Sequence, residues 1–238
     1  MALAAADAGQ AMSLDTLPGR RARHWDAGER EAVITLDEYV TWAASLTKSQ
    51  RTGVPEERAL REVGLAFAGE IGEVAGALVK WLHDDKRWRD ELADELGDVA
   101  YYWARLCVVT GVVPSTLLAR SRAHIEWRRA GRPAGGPASG AGAVTLEEYA
   151  AWAVGPADRP DDQVLADVGL ALVGDAGEVV ECLRKLAREG ERQRERLAGE
   201  LGDVWHYWTR LCVASGNTPA DLLMRSRTRI EARLPYVS

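Results

Sequence analysis

Apolar residues recur at three- and four-residue steps through most of this chain. Val63, Phe67, Val74, Leu78 and Trp81 fall on one stripe and predict a helix from about Glu56 to Leu82. Leu92, Leu96, Val99, Trp103 and Leu106 form a second stripe and predict a helix from about Arg89 to Thr110. Before them, Thr35-Leu-Asp-Glu38 is a Thr-x-x-Glu capping box, which opens a helix by satisfying its first free amides. After them, Pro114 suits the first turn of a fourth helix. No segment alternates with period two between turn signals, so the predicted class is all-α, as helical bundles.

The same four-helix pattern then occurs again. Thr145-Leu-Glu-Glu-Tyr-Ala-Ala-Trp152 matches Thr35-Leu-Asp-Glu-Tyr-Val-Thr-Trp42, and Asn217-Thr-Pro219 stands where Pro114 opens the fourth helix. From Val63 and Val168 onward the copies align without a gap to Glu126 and Glu231, with roughly half of the positions identical. Shared amphipathicity does not give that level of identity, so one unit has been duplicated. The units are predicted at 33–130 and 144–238. Between them Gly131-Arg-Pro-Ala-Gly-Gly-Pro-Ala-Ser-Gly-Ala-Gly-Ala143 has the composition of a flexible linker. A coil of that length reaches about 20 Å, enough to set two small bundles side by side. Residues 1–32 show no sustained period and are expected to be disordered or loosely attached.

Composition narrows the function classes. A net charge of −6 disfavours nucleic acid and anionic membranes as partners. Cys107, Cys182 and Cys212 make an odd count without a CxxC framework, which reads as free thiols in a reducing, cytoplasmic compartment. No apolar run is long enough to span a bilayer, and the Ala-rich start lacks a basic region, so no signal peptide is expected.

Carboxylates carry the chemistry. Glu70 and Glu73 lie three apart on the second predicted helix, and Glu95 and Asp98 three apart on the third. Residues three apart share a helix face. Both pairs border an apolar stripe, so both point toward the groove between the helices. Copy two repeats them as Asp175, Glu178, Glu200 and Asp203, each 105 residues later. Two carboxylates about 4 Å apart repel by about 4 kcal/mol at an effective dielectric of 20. Four in one groove are most simply explained by a hard divalent cation. A lone ExxE is usually a solvated face; the doubling, with its spacer kept, favours a metal site. Lys80 and Lys185 follow two turns after Glu73 and Glu178, and Arg105 and Arg210 two turns after Asp98 and Asp203. A metal flanked by such cations suits a polyphosphate. Gly64, Gly69, Gly72 and Gly76 crowd the second helix, which points to close helix approach or ligand access.

Gly64-Leu-Ala-Phe-Ala-Gly-Glu-Ile-Gly-Glu73 with Glu95-Leu-Gly-Asp98 resembles the MazG-type all-α nucleotide pyrophosphohydrolases, and Leu36 to Tyr39 resembles their opening helix. The resemblance covers nearly all of both units. It implies Mg2+ (with Mn2+ as a substitute) held by the four acids. It implies cleavage of a nucleoside triphosphate between the α and β phosphates, with Glu73 as base through a metal-bound water and Glu178 in the same role at a weaker second site. It also implies that the second unit stands in for a neighbouring subunit, as a pseudo-dimer within one chain, with further homodimerisation open. The sequence departs from the family at Asp175, which is one methylene shorter than glutamate. It departs again where Ser121-x-x-His124-x-x-x-Arg128 and Ser226-x-x-Arg229-x-x-x-Arg233 replace the family's Asn-x-x-Lys-x-x-x-Arg.

The copies also differ around the hinge between the acidic helices. Copy one has Trp81, His83 and Trp88, and copy two has Leu186, Arg188 and Gln193. Aromatic faces stack on bases, so copy one is expected to hold the working site, with Lys80, Trp81, Tyr102, Arg105 and Arg128 as nucleotide contacts and Lys185 and Arg210 as their weaker counterparts. Trp81 equally continues the core stripe. Asp203-x-x-His206 hints at a di-iron bundle, but that arrangement needs Glu-x-x-His on two helices. Two other readings compete with the pyrophosphohydrolase: a non-catalytic nucleotide- or partner-binding protein of the same fold, and a phosphoribosyl-ATP pyrophosphohydrolase-like enzyme.

Overall fold

A computed structural model describes residues 34–50, 56–84, 88–137, 144–154 and 162–233. The expectation for residues 1–32 lies outside the described residues, as does the linker stretch 138–143. Among the described residues eight helices follow in order: α1 (Leu36–Gln50), α2 (Glu56–Asp84), α3 (Arg89–Thr110), α4 (Pro114–Arg129), α5 (Leu146–Ala153), α6 (Asp162–Glu189), α7 (Glu191–Ala214) and α8 (Pro219–Arg233). The described residues contain no strand, and no single helix among them is long and apolar enough to cross a membrane.

Local chemistry sets these boundaries. The Thr35 amide and hydroxyl both donate to Glu38, while the Glu38 amide donates back to the Thr35 hydroxyl. Thr145 and Glu148 form the same capping box at α5. The Thr218 hydroxyl accepts from the Asp221 amide and opens α8. Gly111, at φ 72°, ends α3 in the left-handed region that glycine adopts without strain. The chain then bends by 102° into α4.

That bend decides the architecture. Within each copy the two long helices pack together, α2 on α3 and α6 on α7, and α2 also packs on α6. The fourth helix of each copy crosses to the other copy: α4 lies on α7, and α8 lies on α3. The two sequence repeats therefore close into one compact unit over 32–238. The contacts between the copies come in pairs related by the 105-residue offset. The Trp103 indole donates to the Leu201 carbonyl at 3.0 Å, and the Trp208 indole to the Leu96 carbonyl at 2.9 Å. Ser121 donates to the Gly202 carbonyl at 3.0 Å, and Ser226 to the Gly97 carbonyl at 2.9 Å. Each serine also meets a tyrosine hydroxyl, Ser121 with Tyr149 and Ser226 with Tyr39.

Glycine permits these approaches. A Cβ on Gly97 would sit 3.0 Å from the Ser226 Cβ, and one on Gly202 2.9 Å from the Ser121 Cβ. At the α2–α6 contact, Gly64 faces Leu183 and Gly169 faces Leu78, each closer than a Cβ would tolerate. The buried core runs through both copies, with Phe67, Leu96, Trp103, Leu201, Trp205 and Trp208 among its fully enclosed side chains. Burying each such side chain contributes about 1.5–3 kcal/mol. The start of the expected linker folds back on α4, where the Trp127 indole donates to the Pro133 carbonyl at 2.9 Å. Cys107, Cys182 and Cys212 are buried free thiols.

Candidate functional site: two acidic groups with different partners

Glu70 projects from α2, and Glu95 and Asp98 from α3. One carboxylate oxygen from each lies within 4.8 Å of the other two. The i,i+3 spacing and the packing of α2 on α3 bring them together. Their proton affinities are raised, first by burial. Burial pushes the Glu70 carboxyl up to about 7, helped by the charges of Asp98, Glu95 and Glu73, with Arg229 opposing. Burial also raises Glu95 and Asp98; for Asp98 the guanidinium groups of Arg229 and Arg233 hold the rise back. Glu73 is exposed one turn beyond Glu70 and is not part of the close group. The donor set is three hard oxygens, two of them one turn apart on a single helix, and this fits a hard cation.

The α8 helix closes this group from the other copy. The Arg229 guanidinium lies 3.1 Å from an Asp94 carboxylate oxygen and 3.3 Å from Asp98. Arg225 donates to Asp94 at 2.6 Å and reaches Asp90. Nearby stands a row of half-buried rings, one of which, Trp42, lies under Arg227 of α8. Trp42 and Tyr101 have centroids 5.8 Å apart, and Tyr101 and Tyr102 5.3 Å. Burial raises the Tyr102 hydroxyl, and the charge of Glu70 raises it further. Arg105 lies over the Tyr102 ring at 5.5 Å.

Several expected nucleotide contacts have other partners. Trp81 is 6% exposed and continues the core stripe of α2, so neither ring face is open to a base. The Arg89 guanidinium lies over it at 5.4 Å. The half-buried rings near the acids are Trp42, Tyr101 and Tyr102 instead. Lys80 pairs with Glu91 and lies over the Trp88 ring at 5.0 Å. Lys185 pairs with Glu181 at 2.8 Å. Arg210 lies over the Tyr207 ring at 5.7 Å. Arg128 leaves its own copy with α4 and reaches the acids of copy two.

The acids of copy two are held differently. Arg128 grips Asp203 with two parallel bonds, 2.9 and 2.8 Å. Arg196 binds Glu178 and also Glu200, the latter at 3.3 Å. Asp175 is raised to about 6 by burial and then by Asp203 and Glu200. Guanidinium groups thus occupy three of the four carboxylates, and these acids do not form a close oxygen set like that of copy one. As placed, they do not fit a cation. The equivalents explain why. At the 105-residue offset, Arg196 stands where copy one has Glu91, and Gly199 where it has Asp94. With Glu91 replaced, Lys185 turns to Glu181, which stands where copy one has Gly76. His206 is buried beside the Tyr149 and Trp152 rings, a packing role.

The arginines of α4, α7 and α8 that contact the acids came largely unannounced. The signal was present at the offset, in the two charge changes Glu91 to Arg196 and Asp94 to Gly199, but it acquires meaning only once α4 and α8 are known to cross over. No protein-family model, curated protein or solved structure matches the chain.

Proposed function

We propose that the protein hydrolyses a nucleoside triphosphate, or a related nucleotide, between its α and β phosphates, at the acidic group of the first copy. One observation carries this reading: one carboxylate oxygen each of Glu70, Glu95 and Asp98 lies within 4.8 Å of the other two, while in copy two arginines hold Glu178, Glu200 and Asp203. Glu70, Glu95 and Asp98 would hold Mg2+, which would supply Lewis-acid neutralisation of phosphate oxygens. Glu73 is exposed on the same helix face, and Glu70 feels its charge. It would take a proton from an attacking water. Arg229 and Arg233 on α8 bring positive charge to the rim for the outer phosphates. Trp42, Tyr101 and Tyr102 would offer a base the ring faces that Arg227 and Arg105 leave uncovered. The α8 residues come from the other copy, which favours the reading of the chain as a covalent pseudo-dimer.

The test is pyrophosphate release from a panel of common and modified nucleotides with and without Mg2+. Glu70→Gln and Asp98→Asn are expected to lower turnover on the order of a hundredfold, as loss of a charge-stabilising ligand does. Asp175→Asn and Glu200→Gln are expected to stay within about threefold. Absence of turnover with every nucleotide, alongside stabilisation by Mg2+, would replace the enzyme with a non-catalytic binder of the same fold. The arginine-clamped acids favour that second reading for copy two.

A further inference from the structure

A cavity of about 840 Å3 lies between α4 and α7, beside the acids of copy two. Four guanidinium groups line it: Arg120, Arg128, Arg192 and Arg196. Among the described residues three carboxylates line it too, and two of them, Asp203 and Glu200, are already matched by Arg128 and Arg196. Glu195 is the third. Arg120 and Arg192 form no ion pair among the described residues, and His124 adds a further nitrogen base at the wall. Among the described residues no Trp, Tyr or Phe lines the cavity, and guanidinium charge dominates its wall.

The same place in copy one shows what changed. There Asp94 ties down Arg225 and Arg229 from α8. The counterparts of those arginines are Arg120 and His124, and the counterpart of Asp94 is Gly199. Losing that carboxylate leaves Arg120 without its acid and leaves space where the side chain would stand. A Cβ added at Gly199 would meet nothing within 4 Å. Replacement of Glu91 by Arg196 moves the local charge in the same direction.

We propose that this cavity binds a di- or triphosphate anion without a metal. Guanidinium forks match phosphate oxygens in pairs, and their charge neutralises the anion where a cation would otherwise be needed. The acids of copy two then serve to hold Arg128 and Arg196 in place. The proposal does not rest on the hydrolytic reading of copy one, and its test excludes metal.

The experiment is calorimetric titration of the full chain in EDTA with tripolyphosphate, pyrophosphate and a nucleoside triphosphate, with citrate as a control anion. Wild-type protein is expected to bind one tripolyphosphate per chain and to bind citrate at least about tenfold more weakly. Gly199→Ala adds a methyl into open space and is expected to bind like wild type. Gly199→Asp recreates the carboxylate of copy one, pairs with Arg120, and is expected to weaken binding about tenfold or more. Arg120→Gln with Arg192→Gln, both exposed, is expected to weaken it further with the thermal midpoint unchanged. A nucleotide that binds well above tripolyphosphate names a nucleotide as the source; equal affinities name the inorganic chain. No binding in EDTA, equal binding of citrate, or identical affinities for Gly199→Ala and Gly199→Asp would overturn the proposal.

Discussion

Glu70 joins the acidic group to the stability of the fold. Its carboxyl is raised to about 7 by burial and by neighbouring carboxylates. The folded protein therefore holds a proton there that the unfolded chain releases near 4.5. That contribution is present below about pH 4.5 and is lost as pH rises through about 7. Glu70 is partly exposed, so screening leaves an effect of about 1 kcal/mol. Without metal, Glu70→Gln is expected to be the more stable protein at pH 8, and the difference should vanish toward pH 4.5. Thermal melts across pH in EDTA check this. Added Mg2+ at pH 8 is expected to raise the wild-type midpoint and to leave Glu70→Gln nearly unmoved. At this scale the sequence was a good guide where spacing alone decides: three residues apart on two adjacent helices brings Glu70 to Glu95 and Asp98. It was a poor guide for long side chains. Lys80 shares a helical face with Glu73, yet it turns to Glu91, because a flexible amine follows the nearest accessible carboxylate. Trp81 could serve either core or pocket on pattern alone, and burial in the core settles it.

Glycines separate two kinds of helix surface. Gly69, Gly72 and Gly76 face open space on α2, and a Cβ there would meet nothing within 4 Å. Alanine at each is expected to raise stability by about 0.5–1 kcal/mol, the usual helical difference. Gly97 and Gly202 face serines of the crossing helices. Alanine at either pushes α8 or α4 outward and strains a buried serine–carbonyl bond, and is expected to cost about 1–3 kcal/mol. Denaturant unfolding of the five variants distinguishes the two groups; stabilisation by Gly97→Ala would contradict the close packing described here. The elements themselves were legible. Capping boxes at Thr35 and Thr145, prolines at 114 and 219 and the apolar stripes marked the helices to within a turn, because these signals act within a few residues. The reason for each glycine was not legible, since a close approach depends on a partner far away in sequence.

At the scale of the molecule, each copy lends its last helix to the other. A single repeat, residues 33–137, would leave exposed the face of α3 that α8 covers and the face of α4 that α7 covers, with α4 held only against α1. It is expected to form a dimer by mutual exchange, with a thermal midpoint that rises with protein concentration. Sedimentation of this half-chain checks the expectation; a stable monomer would mean that α4 can fold back onto its own α3. The sequence by itself determined the helices, the duplication, the constant spacing of the carboxylates and the helices that carry them, though not that Glu73 stays out of the close group of Glu70, Glu95 and Asp98. Those are local or periodic properties, set by backbone hydrogen bonding and by which residues share a face. Only the tertiary structure decided that α4 and α8 cross between copies. The two copies present nearly the same apolar stripes, so packing at home and packing across satisfy the pattern equally. That crossing then decided which arginine meets which acid, and so made two similar carboxylate sets unlike: in copy one three converging oxygens, in copy two acids held by guanidinium beside an arginine-lined cavity.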